Sequence, residues 1–445
     1  MGNRESQERL VARREGRSQL EPRTPIPHSP FPIPGHQPME IRPILSTLRR
    51  HKTATALIVL EIALSCAIIC NALFIVSQRL AVLNLPSGVD EKHLIEIGLG
   101  GIGEQTDADA RSAEDLAVLR GIPGVEWVAI SNQLPFQNGS WNTSLALSPE
   151  QEVPTLSAAQ YMVGEDTLAT MGLRLVAGRD FNADEYKSSA VLEGMEDMSG
   201  LSSPIILSQP AADNLFPDGD AVGKTVYMAN IPLTIVGVVE TLLRPNMMGG
   251  NRTYSVMLPT RMNFANGGRY LIRVADPARR AEVLEQALAA LDRNDPSRLV
   301  WRKQTYEEGR ANYFANDRDM IGLLLMVCGL LLLVTALGIV GLTSFWVGQR
   351  SRQIGVRRAL GATRGQVLRY FQLENFLLTG CGIAFGLGLA FGLNQWLMAQ
   401  YELARLPLAY LPVGALTLWL LGQIAVFGPA RRAASVPPAI ATRSA

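Results

Sequence analysis

Four long apolar runs constrain the fold of this chain more than any other feature of its sequence. They occupy residues 53–77, 320–347, 371–395 and 407–428. Each run has about the 20 residues that an α-helix needs to cross a lipid bilayer. The chain is also lean in charge for a soluble protein, with 18% charged and 47% apolar residues. We therefore predict an α-helical membrane protein with four transmembrane helices.

Arginines outside the spans indicate how the chain is oriented. The stretch Gln349–Phe371 lies between the second and third spans and contains no acidic residue, and its arginines are Arg350, Arg352, Arg357, Arg358, Arg364 and Arg369. Such loops lie in the cytoplasm, where Lys and Arg are enriched, so residues 348–370 are predicted there. The tail, residues 429–445, carries Arg431, Arg432 and Arg443. Both termini are then cytoplasmic, and residues 78–319 and the short loop 396–406 lie outside.

The amino-terminal segment precedes any span. Residues 1–38 are polar and rich in proline. This composition cannot bury a core, so we expect disorder. We favour an untranslated leader, with synthesis beginning at Met39. Residues 39–52 predict an amphipathic helix along the inner membrane face, because apolar residues line one side and basic residues the other.

The long segment between the first two spans, residues 78–319, alternates short strand-like runs with turns and helices. Strands are predicted at Leu94–Ile97, Val125–Ser131, Ile205–Ser208, Val226–Met228, Leu233–Val239, Ser255–Leu258 and Tyr270–Val274, and helices at Asp109–Leu119 and Pro277–Leu291. A glycine-rich turn is expected at Gly98–Gly103. This pattern predicts a large α+β extracytoplasmic domain inserted between the first and second spans.

The sequence lacks the motifs that several classes of function require. The segment Gly219–Thr225 ends like a phosphate-binding loop, but three residues separate its glycines where that loop has four, so a β-turn is predicted. No H-E-x-x-H, C-x-x-C or G-x-S-x-G motif occurs, and no catalytic or metal site is predicted. All four cysteines lie in apolar runs, so no disulfide framework is indicated. A net charge of +1 gives no signal for nucleic-acid binding.

The arginine-rich loop has a helical pattern of its own. Ile354, Val356, Leu360 and Val367 fall near helical spacing with arginines on the other faces. Gly361 and Gly365 are expected to break or bend this helix. Two interpretations remain open: a topogenic loop with a solvated face, or a docking element for a cytoplasmic partner.

Residues 352–363, RQIGVRRALGAT, carry a resemblance. They are similar to the R-x-I-G-x-R-x-A-L-G-A-T signature of the MacB/FtsX-like ABC transporter permeases. In that family the stretch is the coupling helix that contacts the ATPase subunit. The resemblance therefore assigns ATPase coupling to Arg352, Gln353, Ile354, Gly355, Arg357, Arg358, Ala359, Leu360, Gly361, Ala362 and Thr363. The family has Glu where this chain has Gln353, so an ion pair from that position is not expected.

Three further segments resemble the same family. Tyr161–Phe181 and Ser208–Val239 are similar to two parts of its periplasmic domain, and Pro429–Ala434 is similar to its closing motif. The resemblance implies a multi-pass protein of the bacterial inner membrane with its large domain in the periplasm. It implies a separate cytoplasmic ABC ATPase that binds ATP and Mg²⁺, with no cofactor bound by this chain. A second copy or a related permease would complete a dimer, with a periplasmic adaptor and outer-membrane channel as further partners.

Polar residues within the spans are a second group of candidates. Glu61 and Asn71 lie in the first span, and Glu374 lies at the start of the third, where the family also has Glu. A polar group in the bilayer is costly and is a functional candidate for that reason. The alternative is a neutral or hydrogen-bonded group at a helix interface.

These observations favour the membrane subunit of a MacB-like ABC transporter, working in export or efflux. It would transmit ATP-driven movement from the ATPase to the periplasmic domain. The spans contain few polar residues, which does not fit a conduit for a polar solute. The alternative is an FtsX-like signalling protein that controls a cell-wall hydrolase. A membrane-anchored enzyme lacks candidate residues.

Overall fold

The computed structural model describes residues 52–103, 105–189, 202–247, 251–401, 407, 409–435 and 437. The predicted leader, most of the predicted amphipathic helix over 39–52 and residues 402–406 lie outside this part of the chain. The helices are α1 (Lys52–Leu83), α2 (Ala108–Arg120), α3 (Thr167–Met171), α4 (Gln209–Leu215), α5 (Arg280–Asn294), α6 (Tyr306–Tyr313), α7 (Ala315–Ala359), α8 (Arg364–Tyr401) and α9 (Tyr410–Ser435).

The strands all lie between α1 and α7. They are β1 (Leu94–Gly100), β2 (Val125–Ser131), β3 (Asn142–Leu145), β4 (Leu156–Val163), β5 (Leu175–Gly178), β6 (Lys187–Ser188), β7 (Ser203–Ser208), β8 (Thr225–Met228), β9 (Ile231–Val239), β10 (Ser255–Arg261), β11 (Arg269–Val274) and β12 (Leu299–Thr305). They form one mixed sheet with the order β12-β1-β11-β2-β4-β10-β7-β9-β5, with β3, β6 and β8 paired to strands of that path.

Four of the described helices, α1, α7, α8 and α9, are long and apolar enough to span a membrane. The fold class predicted from the sequence is therefore confirmed. Three of them, α1, α7 and α8, extend beyond the predicted spans at both ends, whereas α9 begins at Tyr410, after the predicted start of the fourth span at 407. At 1.5 Å per residue, α1 is about 48 Å long and α7 about 68 Å, against a hydrocarbon core of about 30 Å. Both helices are therefore longer than the bilayer is thick. We call α1 and α7 the stalk, because α1 leads into the α+β domain at Leu83 and α7 returns from it at Ala315.

Glycines of α8 determine how closely it packs against α1. A Cβ atom on Gly382 would lie 2.7 Å from Cβ of Ile62, and one on Gly386 would lie 2.5 Å from Cβ of Cys66. These distances are below van der Waals contact, so only glycine permits this approach. Gly388 has no neighbour within 4 Å of such an atom. Gly382 and Gly386, which form a G-x-x-x-G pair, thus belong to a packing face of α8.

Helices cover one face of the sheet in two places. Successive strand residues point to opposite faces, so each strand contributes alternate residues to the face under the helices. In the first lobe, α2 and α5 cover β1, β2 and β11 through Leu119, Val283 and Leu291. In the second lobe, α4 covers β7, β9 and β10 through Ala211 and Leu215. The opposite sheet face carries a central cluster that also contains residues of α6 and the end of the stalk.

Some strands were not predicted. β12 lies at the edge of the sheet. Its sequence LVWRKQT is largely polar, so it lacks the apolar run that marks a strand. The glycine-rich turn predicted at Gly98–Gly103 starts later, because β1 continues to Gly100. Trp301 of β12 lies against Gly98, where a Cβ atom would be 2.6 Å from its ring. Gly98 therefore lies within β1 and leaves room for the Trp301 ring, and it is not a turn residue.

The segment that resembled a phosphate-binding loop forms turns, as predicted. Gly219, Asp220 and Gly223 have φ angles of +85°, +56° and +85°. The chain then enters β8 and not the helix that a phosphate-binding loop requires.

Asp90 helps to fix the segment that enters β1. His93 Nδ1 lies 2.9 Å from one of its carboxylate oxygens, and Arg273 donates a hydrogen bond of 2.7 Å to the other. Partial burial raises the pKa of Asp90, but the bond to His93 and the charge of Arg273 outweigh burial and hold the pKa below its ordinary value.

Candidate functional site

The predicted coupling stretch consists of two helix ends and a turn. The helix predicted over residues 348–370, with a break or bend at Gly361 and Gly365, is divided in the structure: α7 continues to Ala359, residues 360–363 form a turn, and α8 begins at Arg364. Gly361 lies in this turn with a φ of +100°, a conformation that favours glycine. The expected break therefore falls at Gly361, while Gly365 lies inside α8.

Both sides of the turn are capped. At the end of α7, the Gly361 and Ala362 amides donate to the carbonyl oxygens of Arg358 and Arg357, at 3.1 and 3.0 Å. At the start of α8, the Gln366 amide donates to Thr363 Oγ1, and Gln366 Oε1 accepts from the Thr363 amide. This reciprocal capping box satisfies backbone groups that a helix end leaves open. The turn is therefore a defined structure and not a loose loop.

The turn presents an apolar tip. Leu360 is 83% exposed at the end of this capped turn. The other exposed members of the predicted coupling set are Arg352, Gln353, Arg357, Ala359, Gly361 and Thr363, while Ala362 is half-buried. An exposed leucine surrounded by arginines suits a partner surface with an apolar pocket and an acidic rim.

Other members of the predicted set face inward. Ile354 and Gly355 are buried, and Ile354 packs with Val367, Phe371 and Ala430. Arg358 donates a hydrogen bond of 2.9 Å to the carbonyl oxygen of Ala434. These contacts join the turn to α9. Ile354 and Arg358 therefore help to hold the tip in place.

A buried ion pair lies above the turn. Arg350 Nη1 of α7 lies 3.1 Å from both carboxylate oxygens of Glu374 of α8. Glu374 is 2% exposed, and the guanidinium also lies over the Trp346 ring, 5.5 Å from its centroid. A buried carboxylate of this kind needs its cation, because an unpaired charge in a low-dielectric environment is strongly destabilising. The pair therefore ties the base of α7 to the base of α8.

The sequence singled out Arg350 and Glu374 separately, in a basic loop and in a span. It did not predict that they pair. One signal was present: the two residues lie at similar distances in sequence on either side of Gly361. Once a turn is placed at Gly361, the two helices run antiparallel and these positions face each other.

A small, mainly apolar cavity with some polar lining adjoins Glu374. Its volume is about 10 Å³, close to the minimum that holds one water molecule. Thr343, Trp346, Glu374 and Asn375 contribute its polar lining. Gly422 of α9 packs against Asn375, since a Cβ atom on Gly422 would lie 3.0 Å from Asn375 Nδ2. Polar groups from α7 and α8 therefore meet under a glycine of α9.

The other two intramembrane candidates lie on α1. Asn71 donates hydrogen bonds of 3.0 and 3.3 Å to the carbonyl oxygens of Ala67 and Ala390, so it joins α1 to α8. Glu61 lies against Gly338 of α7, where a Cβ atom would be 2.8 Å from its carboxylate. Glu61 Oε1 is buried and has no hydrogen-bond partner among the described residues. Asn71 is thus a helix–helix contact, and Glu61 occupies a space that glycine provides.

The described residues contain no group of three or more His, Cys, Asp or Glu side chains that could hold a metal ion. The buried ion pair between Asp115 and Arg298 in the first lobe is fully enclosed, since the two side chains are 0% and 2% exposed. Tyr270 and Asn294 also donate to Asp115. This cluster stabilises the lobe and offers no open position for a ligand.

Two family models match the chain. Residues 54–290 match the MacB-like periplasmic core domain, and residues 325–438 match the FtsX-like permease C-terminal domain. The resemblance found in the sequence is thereby confirmed. The first match covers α1 and most of the α+β domain, and the second covers the three remaining spans and the coupling turn.

Individual relatives agree with this match. The macrolide export ATP-binding/permease protein MacB of Chromobacterium violaceum is 27% identical over 294 residues, which are 64% of this chain and 43% of that protein. The MacB of Neisseria gonorrhoeae is 28% identical over 253 residues, 53% of this chain and 35% of that protein. The chain thus spans less than half the length of these curated relatives.

Two solved structures show a weak similarity to the external domain. The periplasmic region of MacB from Actinobacillus actinomycetemcomitans is 16% identical with a TM-score of 0.32, covering 51% of this chain and 95% of that one. The extracellular domain of the noncanonic ABC-type transporter YknZ from Gram-positive bacteria is 16% identical with a TM-score of 0.30, covering 47% of this chain and 100% of that one.

Proposed function

Because this chain belongs to the permease family with a MacB-like periplasmic core domain and an FtsX-like C-terminal domain, we propose that it is a mechanical transmission subunit. In this proposal, a separate cytoplasmic ATPase drives movement of the coupling turn, and the stalk carries that movement to the α+β domain. ATP and Mg²⁺ bind to the ATPase and not to this chain. Both chain termini lie in the cytoplasm.

The observation that carries the proposal is the exposed, well-supported tip at Leu360. The turn is joined to α8 by the pair Arg350–Glu374 and to α9 by Arg358. A force on the tip therefore acts on three helices together. Since α7 runs without interruption from Arg357 back to Ala315, a displacement at the turn reaches the far end of the stalk.

The spans support transmission better than conduction. Among the described residues, several polar side chains in the spans contact neighbouring helices: Ser65 Oγ lies 3.0 Å from Thr335 Oγ1, and Asn71 donates to a carbonyl oxygen of α8. They do not line a continuous polar path. We therefore propose work on a substrate held outside the membrane, in export, with an adaptor and an outer-membrane channel as partners.

A second copy of this chain fits the outward face of α7. This helix is the least buried of the four described membrane-length helices. Glycines at Gly322, Gly329 and Gly341 have open space where a side chain would project. Small residues of this kind allow close helix contact in lipid. We propose that α7 packs against α7 of a second permease subunit.

The proposal is tested by co-purification of an ABC ATPase with the tagged full-length chain. The test variant combines Leu360→Asp with Arg357→Glu, which reverses both the apolar and the basic character of the exposed tip. Arg358 is left unchanged because it bonds the Ala434 carbonyl and its loss would disturb the fold. The expected result is loss of the ATPase from the purified complex.

The matched control combines Val153→Asp with Arg174→Glu. Val153 is 75% exposed, and the Arg174 side chain is 71% exposed, so the same chemical changes are made on the external domain. The control is expected to retain the ATPase. Normal co-purification of the ATPase with the tip variant would contradict the proposal.

A further inference from the structure

The stalk and the external domain meet at Arg310. This residue lies in the last turn of α6, directly before α7. Its Nη2 donates hydrogen bonds of 2.7 and 3.0 Å to the carbonyl oxygens of Leu83 and Leu85, at the end of α1. Its Nη1 forms an ion pair with Glu91, in the segment that enters β1. One guanidinium therefore joins the ends of both stalk helices to the domain.

The chemistry of these contacts fits an arginine and few other residues. The last carbonyl groups of a helix have no partner within the helix. A planar guanidinium offers five donors in a fixed arrangement and can satisfy two carbonyls and a carboxylate at once. Glu91 is held in place by a second bond, since Ser87 Oγ donates to its Oε1 at 2.7 Å. A lysine could not bond all of these groups in this geometry.

Arg310 also contacts Phe136, which lies in the loop between β2 and β3. The guanidinium is 4.6 Å from the centroid of the Phe136 ring. Phe136 is 4% exposed and has a φ of +66°, a backbone conformation that is strained for a residue with a side chain. Such strain persists only where the surroundings fix it. Phe136 is held by aromatic contacts with Tyr306, Tyr313 and Phe314.

The Phe136 loop is in turn connected to both lobes. The Gln137 backbone amide donates a hydrogen bond of 2.8 Å to the carbonyl oxygen of Pro245, which follows β9 of the second lobe. The Gln137 side chain donates to Glu96 of β1, in the first lobe. The Tyr313 hydroxyl accepts from the Met247 amide, close to Pro245. A shift of Phe136 would therefore reach both halves of the sheet.

We propose that Arg310 is a positioning residue that locks the ends of α1 and α7 to the Phe136 loop, so that stalk movement is transmitted to both lobes. This inference rests on the proposed function. The stalk helices are held to each other lower down by an ion pair between Arg79 and Asp317. They would then move as one unit, and Arg310 is the contact through which that unit acts on the domain.

The test compares hydrogen exchange of residues 132–141 with and without ATP and vanadate. The full-length chain is reconstituted in lipid nanodiscs with the ABC ATPase that co-purifies with it. The variants are Arg310→Met, which keeps the apolar stem and loses every polar contact, and Arg310→Lys, which keeps the charge opposite Glu91. The control is Arg174→Met, which breaks an exposed ion pair with Glu240 on the same domain.

In the wild type and in Arg174→Met, trapping with ATP and vanadate is expected to change exchange in residues 132–141. In Arg310→Met that change is expected to be lost, while ATPase activity and co-purification persist. Arg310→Lys is expected to restore part of the change, because it keeps the ion pair but not both carbonyl bonds. Glu91→Gln gives a milder perturbation should Arg310→Met fail to assemble, and it is expected to reduce the change.

The outcomes separate the two proposals. An ATP-dependent change that persists in both Arg310→Met and Glu91→Gln would overturn the role of Arg310 and leave the proposed function standing. A wild type without any ATP-dependent change in the external domain would overturn transmission itself, and this inference with it. Lowered thermal stability of Arg310→Met with an intact exchange response would show a structural contact only and would also overturn the inference.

Discussion

Replacing Arg350 with methionine gives the most informative test of the coupling turn. The change removes the cation from Glu374, whose carboxylate is 2% exposed and lies 3.1 Å from the guanidinium. Methionine keeps most of the apolar stem, so the main effect is the loss of charge pairing. Removing one partner of a buried ion pair costs about 3–5 kcal/mol, because the other charge stays buried without compensation.

The double variant Arg350→Met with Glu374→Met provides the decisive comparison. Replacing a buried pair by apolar residues of similar volume is often close to neutral. We therefore expect Glu374→Met to restore most of the stability that Arg350→Met removes. The free energy of unfolding would be measured in detergent micelles with increasing denaturant, following the tryptophan fluorescence, to which Trp346 beside Arg350 contributes. A double variant as unstable as Arg350→Met alone would refute the buried-pair interpretation.

Three further predictions concern glycines and one carboxylate. Gly386→Ala should destabilise the span bundle by about 1–3 kcal/mol through overpacking against α1. The control Gly388→Ala should leave the unfolding midpoint unchanged. Equal effects of the two substitutions would contradict the assigned packing face. Gly361→Ala should cost about 1–2 kcal/mol because of its positive φ and weaken ATPase co-purification, whereas Gly365→Ala, inside α8, should do neither. The pKa of Asp90 is held below its ordinary value, so its contribution to the stability of the fold is complete above about pH 4 and is lost as the pH falls further. Asp90→Asn should therefore flatten the dependence of the thermal unfolding temperature on pH in that range. An unchanged pH dependence in the variant would contradict the assignment.

The sequence predicted the parts of this molecule that depend on local pattern. Span-length apolar runs predicted α1, α7, α8 and α9, and strand periodicity predicted β2 and β11 to within a residue. Gly361 and Gly365 were both predicted to break or bend the helix, and the break falls at Gly361, whose positive φ glycine adopts without strain. Each of these features is determined by residues close together in the chain.

Features that depend on distant contacts could not be predicted in this way. Arg350 and Glu374 pair across a turn, and Arg310 bonds carbonyls more than two hundred residues earlier in the chain. The Arg310 contact leaves no local signal, because an arginine near a membrane looks the same whether it is solvated or bonded. The Arg350–Glu374 pair is indicated only once a turn has been placed at Gly361. The same limitation applies to the hydrogen bond from Arg358 to the Ala434 carbonyl of α9, which the sequence did not predict.

The central claim, that Leu360 forms the contact with a cytoplasmic ATPase, is tested most directly by site-specific photo-crosslinking. A photoreactive amino acid would replace Leu360 in one variant and Val153 in another, since both side chains are highly exposed but lie in the coupling turn and the external domain respectively. We predict an ultraviolet-dependent adduct with an ABC ATPase from position 360 and none from position 153. An ATPase adduct at position 153, or none at position 360 in a complex that still contains the ATPase, would contradict the account.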